Sequence, residues 1–102
     1  MRREDIAHAV ADAATAVPGV ARLSPGSGVE VATLYAGGKV IGVRLSGAAV
    51  EVHIVADATP LQPVATEVNA AVRRVLGAAG DNRPVNVVVD DVEVSARDRR
   101  AQ

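Results

Sequence analysis

The chain has 102 residues, 49% of them apolar, and its 11 basic and 12 acidic side chains leave a net charge of −1. That length holds one hydrophobic core and not two. Cysteine, phenylalanine and tryptophan are absent and Tyr35 is the lone aromatic, which excludes a disulfide scaffold, a cysteine-ligated metal centre and an aromatic base-stacking surface. The balanced charge supplies no net field toward nucleic acid or anionic lipid.

Ile6, Val10, Ala13 and Val17 recur at helical spacing, with Ala9 and Ala14 beside them, and predict a first helix. Pro18-Gly19 stops it. Ser24 to Gly28 is a loop by composition. Three alternating segments follow: Val29 to Tyr35, Lys39 to Leu45 and Ala49 to Val55. Gly37-Gly38 and Ser46-Gly47 stand at the reversals, so an antiparallel meander is expected. A second helix is predicted from Thr59 as N-cap, with Pro60 at the first helical position and Gln62 completing a capping box. Leu61, Val64, Ala65, Val68, Val72, Val75 and Leu76 give it an unbroken apolar stripe, and Gly77 or Gly80 ends it. Pro84 to Val94 is the last strand, which a helical crossover sets parallel to the third. The tail from Ser95 to Gln102 is charged, carries Arg97, Arg99 and Arg100, and is expected to be disordered.

The fold class is therefore α+β, two-layer, in the order α-β-β-β-α-β. A four-stranded mixed sheet carries its helices on one face. Residues 1–94 form one domain and residues 95–102 the tail. No apolar stretch reaches the roughly 18–20 residues of a bilayer span, and His8 and Asp12 interrupt the Ala-rich segment that a secretory signal would need clean. A cytoplasmic protein is expected.

Catalytic chemistry finds no support in the spacing. His8 and His53 lie on different elements, without the three or four convergent ligands of a zinc site. Asp90-Asp91 is an acidic doublet on a predicted strand, and adjacent strand residues point to opposite faces, so the two cannot act together as acid and base. The serines lie in loops without a neighbouring base. No catalytic residue, cofactor or metal is predicted. Gly77-Ala78-Ala79-Gly80 fits the Gly-x-x-Gly of KH domains, with Arg73, Arg74 and Arg83 nearby. A nucleic-acid contact there is the lesser reading, and a helix C-cap the greater one.

Taken together, the Ala-rich helix ending in Val17-Pro18-Gly19-Val20, the segment Val50-Glu51-Val52-His53-Ile54-Val55, the helix from Leu61 through Val72 and the strand Pro84-Val85-Asn86-Val87-Val88-Val89-Asp90-Asp91-Val92 resemble the alkaline shock protein family of bacterial envelope-stress proteins. The match runs over residues 5–94. The resemblance implies a non-enzymatic cytoplasmic protein that forms homo-oligomers. It also implies a place at the inner face of the membrane, reached through a membrane-anchored protein partner rather than a span or a small-molecule substrate. The aliphatics give a reason of their own for association. Val40, Val50, Val52, Ile54, Val85, Val87 and Val89 compete with Ile41, Val43, Leu45, Val55, Val88 and Val92 for one core, so a leftover apolar sheet face or an uncovered strand edge is expected to serve as the contact.

Overall fold

The computed structural model describes residues 2–93; the predicted tail lies outside the described residues. Helix α1 (Arg3–Thr15) is followed by β1 (Val20–Leu23), β2 (Ala32–Tyr35), β3 (Gly38–Ile41), β4 (Val43–Leu45) and β5 (Val50–Ala56). Helix α2 (Leu61–Ala78) then crosses to β6 (Val85–Val92). The class is α+β, and the main sheet is four-stranded and mixed. β5 pairs antiparallel with β1 and β4 and parallel with β6. β1 and β4 share one edge of β5 end to end: β1 lies against Ile54 to Ala56, and β4 against Val50 to Val52.

The membership of that sheet corrects the expected meander. Residues 32–35 belong to a separate hairpin of β2 and β3, and the fourth place goes to β1. The cause is Gly42, whose φ is +91°. Its N–H donates to Val31 O and its carbonyl accepts from His53 N, at 2.8 and 2.9 Å. The strand expected over 39–45 therefore bends at Gly42, with its first half paired to β2 and its second to β5. One extra residue at a bulge shifts the alternation by one. Val40, Val43 and Leu45 all become buried, while Ile41 turns outward. Val43 and Leu45 thereby leave the second of the two sets expected to compete and join the core of the first, while Ile41, Val88 and Val92 stay exposed.

Both helices pack on that inner face. α1 buries Ala7, Val10 and Ala14, a stripe displaced by one position from the expected Ile6 and Ala13. The two alanines present little bulk where α1 meets α2 and the sheet. α2 buries Val64, Val68, Ala71, Val72 and Leu76, in agreement with its sequence stripe. Its start differs. Pro60, not Thr59, is the N-cap, and no side chain caps the helix. Thr59 stands one residue too early for a capping box, which places Pro63, not Gln62, at the third helical position. Pro63 is tolerated there because the first-turn N–H groups have no intrahelical acceptor. At the other end Gly80 takes φ +73°. Asp81 N donates to Leu76 O at 2.8 Å and Gly80 N to Gly77 O at 3.1 Å, the two bonds of a Schellman cap.

Candidate functional site

The outer face of the sheet carries a chain of charges. Arg44 on β4 is in register with Glu51 on β5, and their side chains approach to 3.7 Å. Two residues on, and so on the same face, His53 bonds Glu51 through Nε2 and Asp90 through Nδ1 at 2.8 Å. Asp90 reaches it because β6 bulges there: Ile54 lies opposite Val89, and Val55 opposite Asp91. Burial alone would lower the His53 pKa. The hydrogen bonds to Glu51 and then Asp90 outweigh it, so the ring is held above its ordinary value. A ring with a carboxylate on each nitrogen has no free lone pair to offer a substrate or a metal. Sequence reasoning separated these residues; Glu51-x-His53 on a period-two strand was the signal that could have joined them.

His8 lies elsewhere. It meets the Tyr35 ring edge-on at 5.7 Å between centroids, and Arg3 Nη1 donates to Leu34 O at 2.9 Å. Both contacts hold the β2–β3 hairpin on α1. Among the described residues no group of three or more His, Cys, Asp or Glu side chains is placed to hold a metal ion.

The residues of the Gly-x-x-Gly reading are spread over the end of α2 and the loop after it. Gly77 is helical and Gly80 caps the helix. Arg83 grips Asp81 through Nε and Nη2 and donates from Nη1 to Ser46 O at 2.6 Å. That guanidinium holds the loop before β6 against the turn before β5, and the ion pair keeps the Asp81 carboxyl below its usual range. Arg73 donates through Nε to Asn69 Oδ1 at 3.1 Å, which turns it toward the far side of β6. Arg74 is exposed.

On that far side the main chain of β6 has no strand partner among the described residues. β6 runs for eight residues, and among the described residues its one strand neighbour is β5. Beside it lies a groove of about 440 Å³ floored by Val87 and walled by α2 through Ala65, Thr66, Asn69, Ala70 and Arg73. Val88 and Val92 on the strand are 37% and 38% exposed.

No family model and no curated protein matches the chain. Solved structures do. A MamM-CTD histidine-to-alanine variant is 20% identical with a TM-score of 0.52, the match covering 90% of this chain and 100% of that one. The copper form of MamM CTD is 20% identical at 0.51, over 91% and 89%. A triple variant of MamM CTD gives 20% and 0.50, over 88% and 95%. At that identity the likeness is one of fold.

Proposed function

We propose that this domain is a non-enzymatic protein-interaction module that self-associates or docks on a protein partner through the free edge of β6. One observation carries this: among the described residues an eight-residue strand has a neighbour on one side and an open groove on the other. Unpaired strand edges are templates for another chain. The test is light scattering at micromolar concentration together with capture of partners from the native cell extract. A monomer of 10.4 kDa that also retains nothing overturns the reading.

The finer reading is a cytoplasmic protein of the envelope stress response, held at the membrane by an anchored partner. It is supported by the alkaline-shock resemblance of residues 5–94 and by nothing in the comparisons. No helix among the described residues is long and apolar enough to cross a membrane, so attachment to one would need such a partner. Membrane fractions from cells with and without that partner test it. The copper of one MamM CTD structure is not carried over, since no metal-holding group exists among the described residues.

A further inference from the structure

This inference rests on the interaction reading above and names its partner and its geometry. Along a parallel pair, alternate residues turn both N–H and C=O to the neighbouring strand. Pro84 O accepts from Val50 N at 2.9 Å, so Asn86 and Val88 also face β5, and Val85, Val87 and Val89 face away. Asn69 confirms the phase: its Nδ2 donates to Val85 O at 3.1 Å from α2, on the far side. Val87 and Val89 are left with outward N–H and C=O groups for which the described residues supply no strand.

We propose that a second copy of this chain fills that edge, its β6 running antiparallel to the first about a two-fold axis at Val88. Val87 of one copy then lies opposite Val89 of the other, and each such pair exchanges both of its bonds. This register uses the two free residues and leaves Val85 with Asn69. Val88, 37% exposed, meets its own symmetry mate on the outer face. On the inner face Val87 and Val89 of the second copy approach the groove beside α2, where Ala65, Thr66 and Ala70 are small enough to leave room.

Charge sets the direction. The Val85 end of the strand carries Arg73, and the other end carries the exposed Asp91. Antiparallel pairing brings the acidic end of each copy to the Arg73 end of the other, whereas parallel pairing would set like charges together. The contact is isologous, so it closes as a dimer.

The experiment measures the mass and dissociation constant of the full chain by light scattering and sedimentation. The expected parent is a dimer of twice 10.4 kDa, with Val87 and Val89 amides exchanging more slowly as concentration rises. Val87→Pro removes an outward N–H and is expected to give a monomer with the parent far-ultraviolet spectrum. Arg73→Asp lies on an exposed helix position and leaves the core intact. It is expected to weaken the dimer about tenfold, like charges replacing opposite ones at both symmetric contacts, and Asp91→Arg added to it is expected to restore affinity. A dimer unmoved by Val87→Pro and Arg73→Asp overturns this inference and leaves the interaction reading standing. A monomer that captures a different protein does the same. A monomer that captures nothing overturns both.

Discussion

Gly42→Ala tests the joint on which the fold turns. At φ +91° an L-residue is strained by about 1–2 kcal/mol. A Cβ there would also stand 2.7 Å from Leu23 Cβ, 3.2 Å from Ser24 O and 3.4 Å from His53 O. Two of those atoms are main chain and the third is the root of a side chain, so relief requires β1 or β5 to move. Overpacking of that kind costs about 1–3 kcal/mol more. The sum of about 2–5 kcal/mol is a large share of the 5–15 kcal/mol typical of a domain. At about 4–8 °C per kcal/mol, the midpoint falls by about 10 °C or more. Gly37→Ala is the control: its φ is +97° and nothing lies within 4 Å of its Cβ, so the strain acts there alone. Thermal melts followed by far-ultraviolet circular dichroism compare the two. If Gly42→Ala melts with Gly37→Ala, the close approach of β1 and β5 to this bulge is wrong.

Val68→Asp places a carboxylate at a site with no exposure and no partner, so it is expected to unfold the domain, while Arg73→Ala leaves the melt nearly unchanged; the same dichroism assay reads both. His53 has a folded pKa above its ordinary 6.5, so its network contributes in full below about 6.5 and is lost as pH rises through the folded value. Urea midpoints of the parent and His53→Gln are expected to converge from pH 6 toward alkaline pH, and parallel curves would refute the network. Arg83→Ala strips the loop before β6 of its bonds to Asp81 and Ser46 and is expected to cost about 1–3 kcal/mol in urea unfolding.

Much of this was legible where the pattern is local. The α2 stripe and the alternation of Val85 to Val89 each predict their burial, because one element's period decides them, whereas β5, with a strand on either side, buries His53 and Val55 along with Val50, Val52 and Ile54. The parallel sense of β6 followed from the crossover. Other features depend on partners distant in sequence. β1 has four residues, too few for a period to show, and it becomes a strand because β5 offers it an edge. Gly42 interrupts an otherwise regular alternation, and an isolated glycine in such a run is the signature of a bulge. Reading it as one would have moved Val43 and Leu45 into the core beforehand. Asp90 meets His53 because of a parallel register and a second bulge, neither of which the doublet Asp90-Asp91 announces.

The same particulars decide between the two surfaces that the sequence left open for association. An apolar outer face required Val43 and Leu45 to stay outside. The bulge at Gly42 buries them, and what remains on that face centres on Arg44, Glu51, His53 and Asp90, bonded to one another. A partner covering that network would remove water from charges already satisfied, a desolvation that new contacts must first offset. The β6 edge carries no such burden over Val87 to Val89. Its groups are neutral main-chain donors and acceptors that exchange water for a strand, and valine side chains lie on either side of them. The charges flanking that stretch are opposite in sign at its two ends, so they favour an antiparallel copy instead of opposing one. A contact through the edge thus gains hydrogen bonds, apolar burial and charge pairing together, whereas a contact through the face must give up an ion network to gain a few exposed valines.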